Sequence, residues 1–111
     1  MAVSAEQKSF VLELFAGVGH ITSHAMMGGM TFYADGQVFA ILGSDGQIYL
    51  KAKDAFAQEL AQEGSSIFAM EVKGVTKSMG YWTLPDAALD DPDTACDWGR
   101  RALKAAYPEQ S

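Results

Sequence analysis

Apolar positions recur along the chain with two different periods, and each change of period marks an element. Phe10, Val11, Leu14 and Phe15 share one face at helical spacing. Ser4 and Gln7 form an S-x-x-Q capping box ahead of them, and Gly17 and Gly19 are expected to end this first helix. The pattern then becomes extended, over residues 21–27 up to Gly28-Gly29, and over 30–33, 37–42 and 47–51. Asp35-Gly36 and Asp45-Gly46 supply the positive-φ positions of two tight hairpin turns. Residues 37–42 are apolar on both faces, which predicts a central strand with cover on each side.

In the second half, Asp54 is expected to cap a short helix carrying Phe56 and Leu60, with Gly64 just past its end. A strand over 67–72, a turn over 73–77 around Gly74, and a strand over 78–84 follow, stopped by Pro85. Asp91-Pro92 places an N-cap before an N1 proline and opens a last helix reaching about Tyr107. Ala95, Trp98 and Ala102 lie on one stripe of it. Its acids stand at the start and Arg100, Arg101 and Lys104 toward the end, which complements the helix dipole. Strands joined by hairpins cannot build a parallel sheet. The expected class is therefore α+β in two layers, an antiparallel sheet of about five to six strands with flanking helices in the order α-β-β-β-β-α-β-β-α.

Length and charge narrow the picture. The 111 residues suit one domain spanning 1–111, and 49% apolar against 20% charged residues argues against disorder. A net charge of −6 disfavours free-standing binding to a phosphate backbone. The single cysteine, Cys96, cannot form an internal disulfide. No signal-peptide pattern and no membrane-length apolar run occurs, so a cytoplasmic location is expected.

Candidate chemistry is sparse. His20 and His24 are four apart, but along a strand that spacing separates them by about 13 Å, too far to share a metal. Cys96 lacks any nucleophile motif and reads as a small packing residue. Asp86, Asp90, Asp91, Asp93 and Asp97 lack calcium-loop spacing and read as caps and a solvated first turn. Gly17-Val18-Gly19 and Gly28-Gly29 do not continue as phosphate loops. No catalytic residue, metal or cofactor is therefore assigned. Met26, Met27, Met30, Phe32, Tyr33, Tyr81 and Trp82 are dense for so short a chain. Half must leave the core face, and an exposed apolar patch marks a protein contact.

Several segments taken in order resemble the N-terminal domain of the TfoX/Sxy family. They are Met26-Met27-Gly28-Gly29, Phe32-Tyr33, Asp35-Gly36-Gln37-Val38-Phe39-Ala40, Ile48-Tyr49-Leu50-Lys51, and Ser78-Met79-Gly80-Tyr81-Trp82-Thr83-Leu84-Pro85. Leu89-Asp90-Asp91-Pro92, leading to Trp98 and Arg100-Arg101-Ala102-Leu103, is similar to the family's closing helix. The family typically reads M-F-G-G, D-G-x-x-F-A, L-Y-L-K and S-M-x-Y-[YW]-x-x-P. The resemblance covers about residues 5 to 107 and makes Gly28, Gly29, Asp35, Gly36, Tyr49, Lys51, Pro85 and Trp98 motif positions. It implies a fold similar to type III secretion chaperones. It also implies a non-enzymatic role in regulating transcription, natural competence included, through protein partners. Family members often place an arginine before M-F-G-G, where this chain has His24 as the nearest substitute. With no further helical domain in its length, the chain is expected to be a stand-alone N-terminal domain.

The contact surface is expected around Met26, Met27, Met30, Tyr81 and Trp82, with a protein partner or a second copy as occupant. The alternative is a small-molecule binder or enzyme, using a pocket between sheet and helix with Tyr33, Tyr49, Tyr81 and His24 as polar groups. Direct DNA binding would need a basic face built from Lys73, Lys77, Arg100 and Arg101.

Overall fold

A computed structural model of the chain describes residues 4–26, 29–43 and 45–108. Helix α1 (Ala5–Leu14) starts from the capping box the sequence predicts. Ser4 Oγ accepts from the Gln7 N–H at 3.1 Å, and Gln7 Oε1 accepts from the Ser4 N–H at 3.0 Å. The helix ends earlier than expected, at Leu14, with Phe15 as its cap. The expected face is also corrected, because Phe10 is 46% exposed while Val11, Leu14 and Phe15 are buried. The buried set with half-buried Val18 has the i, i+3, i+4, i+7 spacing, which leaves Phe10 off the stripe.

Six strands follow the predicted order: β1 (Ile21–Met26), β2 (Gly29–Ala34), β3 (Gln37–Leu42), β4 (Ile48–Lys51), β5 (Ile67–Val72) and β6 (Val75–Thr83). They form one sheet ordered β1-β2-β3-β4-β6-β5, with every pairing antiparallel. The architecture is thus the expected α+β arrangement. At Asp35-Gly36 both φ angles are positive, at 51° and 85°, and Ala34 pairs with Gln37 across a two-residue turn. The second Asp-Gly pair behaves differently. Only Gly46 has positive φ, and the Gly43 N–H donates to the Gln47 carbonyl across a longer loop. Asp45 keeps an ordinary φ in this longer loop, where the Gly46 N–H donates to the Gly43 carbonyl, and its carboxylate accepts from the Gln47 N–H at 3.0 Å and the Tyr49 hydroxyl at 2.8 Å. The turn near Gly74 is shorter than expected. Lys73 and Gly74 both take positive φ, so β6 begins at Val75.

Helix α2 (Asp54–Gln62) carries buried Phe56, Ala57 and Leu60. Asp54 is not its cap; Lys53 holds that place without a side-chain bond, and Asp54 is the first helical residue. Its end matches expectation. Gly64 has φ 91°, its N–H donates to the Ala61 carbonyl, and the Ser65 N–H donates to the Leu60 carbonyl. A single 3-10 turn (Asp86–Ala88) precedes α3 (Pro92–Ala106). Asp91 caps α3 by accepting from the Thr94 N–H and, at 2.8 Å, from the Thr94 hydroxyl. These bonds hold the Asp91 carboxyl below its ordinary pKa.

All three helices contribute to one apolar core with the same face of the sheet. Val11, Leu14 and Phe15 from the α1 segment, Phe56 and Leu60, and Ala95 and Ala102 meet Phe32, Phe39, Leu42, Ile48 and Leu50. Among the described residues no polar side chain belongs to this buried set. Gly99 lets α3 approach closely: a Cβ there would lie 3.1 Å from Val18 and 3.3 Å from the Phe15 and Phe39 rings. β3 has a feature with no sequence signal. Its pairing with β2 shifts register between Phe32 and Tyr33, so Tyr33 faces Val38 and Phe32 faces Ala40. Phe39 is the extra residue, and Phe39 and Ala40 both enter the core. The helices cover one face of β3 rather than both, although Ile41 on the other face is only 3% exposed.

Candidate functional site

Register assigns each strand residue to a face, since paired residues point the same way and neighbours alternate. The helix-covered face takes Met30, Phe32, Leu42, Leu50 and Trp82. The opposite face takes His24, Tyr33, Ile41, Tyr49, Lys51 and Tyr81. This divides the expected contact residues. Met30 and Trp82 pack against the core, and Tyr81 lies on the other side of the sheet. The Met26 side chain and all of Met27 and Gly28 lie outside the described residues. The four groups of the alternative reading, Tyr33, Tyr49, Tyr81 and His24, do share one face. It is the face away from the helices, so they line no pocket between sheet and helix.

That second face is held by ring contacts. His24 and Tyr33 meet edge to face with centroids 5.4 Å apart, and Tyr49 lies against Phe68 at 4.6 Å. Lys51 Nζ sits 5.5 Å from the Tyr81 ring centroid. Burial, with Tyr107 and Tyr33 nearby, pushes the Tyr81 phenol above its ordinary pKa. Burial and the Asp45 carboxylate push the Tyr49 phenol up to about 12.

The other motif positions are structural. A Cβ on Gly29 would fall 2.3 Å from the Leu42 carbonyl oxygen, so only glycine fits beside β3. Pro85 is buried beyond the end of β6. Trp98 carries the Arg101 guanidinium 4.3 Å from its ring centroid, and Arg101 also pairs with Glu59 of α2. Arg100 donates to the Gly17 carbonyl at 3.3 Å. Two of the four residues needed for a basic face are thus engaged internally.

The groups considered for chemistry stand apart. Cys96 is buried, with Sγ 3.4 Å from the Leu14 carbonyl. The His20 N–H is tied to Asp35 at 3.3 Å. No group of three His, Cys, Asp or Glu able to hold a metal occurs among the described residues. No described helix is long and apolar enough to cross a membrane.

A concave site lies at the end of the helix layer. A groove of about 600 Å³ runs between α1, the β3–β4 loop and the segment after β6. Val11, Leu42, Ile48 and Leu84, all buried members of the core, lie at its floor. Phe10 and Leu89, two of the most exposed large apolar residues at 46% and 36%, stand in its wall. Glu6 and Asp86 supply charge, both acidic. Gln7 of α1 comes close to the β3–β4 loop: its Oε1 closes the capping box, and its Nε2 would be 3.0 Å from a Cβ on Gly46. Neither Phe10 nor Leu89 stands among the contact residues expected from sequence. The available signal was the position of Phe10 one step off the buried stripe.

The family model for the TfoX N-terminal domain matches residues 13–106. No curated protein matches the chain.

Proposed function

The chain belongs to the TfoX N-terminal domain family, and on that premise we propose that it is a non-enzymatic protein-interaction domain acting in a regulatory setting. The reading rests on the groove. Apolar side chains that a monomer would gain by burying, Phe10 and Leu89, stand beside a floor continuous with the core. A short apolar segment of a partner protein, laid along α1, would cover them. A protein partner is favoured over nucleic acid by the net charge of −6 and by the internal engagement of Arg100 and Arg101. The setting the family suggests is transcription, natural competence included, in the cytoplasm.

A photo-crosslinking residue at position 10, compared with one at exposed Gln58, tests this reading in native cells. A discrete adduct from position 10, lost on Leu89→Asp in a folded chain, is the expected result. Equal labelling from both positions would refute it. The groove's volume also favours a second reading, an apolar small molecule in the same place. A stabilising metabolite whose effect disappears in Phe10→Asp would select that one.

A further inference from the structure

The sheet has two edges, and they differ. β5 is guarded: its pairing with β6 shifts register between Ile67 and Ala69, and the strand carries Glu71. β1 has none of these devices. Its sequence, Ile-Thr-Ser-His-Ala-Met, holds no proline and no residue charged at neutral pH with histidine neutral, and it pairs with β2 over six residues without a break. Natural proteins rarely leave such an edge unprotected, because its outward N–H and C=O groups accept another strand. We propose that β1 pairs antiparallel with β1 of a second copy, with Ser23 on the two-fold axis.

The phase of the ladder selects this register. The Asp35 N–H donates to the His20 carbonyl at 2.9 Å, so the residue before β1 turns its backbone toward β2. Antiparallel hydrogen bonding alternates. Thr22 and His24 therefore bond inward, and Ile21, Ser23 and Ala25 present their N–H and C=O groups outward. With the axis at Ser23, Ser23 meets its own copy and Ile21 meets Ala25 in both directions. Every outward group finds a partner, in about six hydrogen bonds. Shifting the axis by one residue leaves an outward pair unmatched. In the Ser23-centred register Thr22 of one copy stands beside His24 of the other, and the tyrosine-bearing faces become continuous. Because β5 is guarded, each copy offers one open edge, so growth closes at two rather than continuing as a fibre. The pairing involves a different element from the groove and stands whether or not the groove binds a protein.

Sedimentation equilibrium of the full chain from micromolar to millimolar concentration tests the proposal. A reversible dimer is expected. It should tighten with salt, because each copy carries −6 while the paired strands are uncharged. Ser23→Pro removes the outward N–H at the axis, and Ala25→Lys places a cation opposite Ile21 of the other copy. Each should raise Kd by about tenfold or more. If Ser23→Pro disturbs the fold, Ala25→Lys decides. Ser23→Cys should cross-link the dimer, since paired Cα atoms at about 5.5 Å lie within disulfide reach. A dimer indifferent to both substitutions, or one in which Ser23→Cys fails to cross-link, overturns the proposal. So does a wild-type chain that stays monomeric, which would leave the edge to a foreign strand.

Discussion

The two faces of the sheet use the same backbone and are held by different physics. Under the helices, Phe32, Phe39, Leu42 and Leu50 are buried among apolar atoms with no polar member in the set. On the other side, Tyr33 meets the His24 ring, Tyr49 meets Phe68 and the Asp45 carboxylate, and Tyr81 meets Lys51. The covered face should carry most of the stability and little pH dependence. The tyrosine face should carry less stability and most of the alkaline sensitivity. Adjacent residues of one strand can thus belong to different energetic regimes.

The most direct way to break this comparison is to truncate neighbours on β2. Phe32→Ala, at a fully buried position, should cost about 3–5 kcal/mol. Tyr33→Ala, losing chiefly its contact with His24, should cost about 1 kcal/mol. Urea titrations of both variants measure the gap, and similar midpoints would show that the helices do not define the core.

Alkaline titration sharpens the comparison further. The Tyr49 phenol is raised to about 12 in the folded chain, against 10.0 for the ordinary group. The unfolded chain therefore loses this proton first. The contribution is complete below pH 10 and is lost as pH rises toward about 12. Tyr49→Phe should remove that part of the pH slope and cost about 1 kcal/mol at neutral pH through the lost bond to Asp45. A wild-type melting temperature that stays flat through this range would contradict the assignment.

The smallest effect should come from the rim of the helix layer. The Asp91 carboxyl lies below its ordinary pKa because it accepts bonds from Thr94. Its contribution is present above the ordinary carboxyl range and fades as pH falls through the lowered value. Asp91→Ala should lower the melting temperature slightly at neutral pH and flatten the acid limb. Thermal scans across the acid range would show whether that limb survives.

Much of the frame was legible because its signals are local. The Ser4–Gln7 box, the Asp35-Gly36 turn, Gly64 and Asp91-Pro92 each act within a few residues, and each forms as read. The second Asp-Gly pair departs from the two-residue turn because the strands on either side close through the Gly43 N–H and the Gln47 carbonyl, which makes the loop longer. The bulge at Phe39 depends on how two strands meet, and neither strand announces it. The candidate site was least legible for the same reason. Phe10 and Leu89 lie far apart in sequence, and only the packing of α1 beside the end of β6 brings them to one groove.

The doubled inward pair on β3 also has a bearing on how this sequence tolerates change in length. Before Phe39 the strand follows one parity and after Ala40 the other. Deleting Phe39 would restore simple alternation and leave Gln37-Val38 and Ala40-Ile41-Leu42 on their present faces, at the loss of the ring that meets Phe15 edge to face. The extra residue is therefore a way of adding core volume: it seats a second side chain under the helices without altering the pairing on either side.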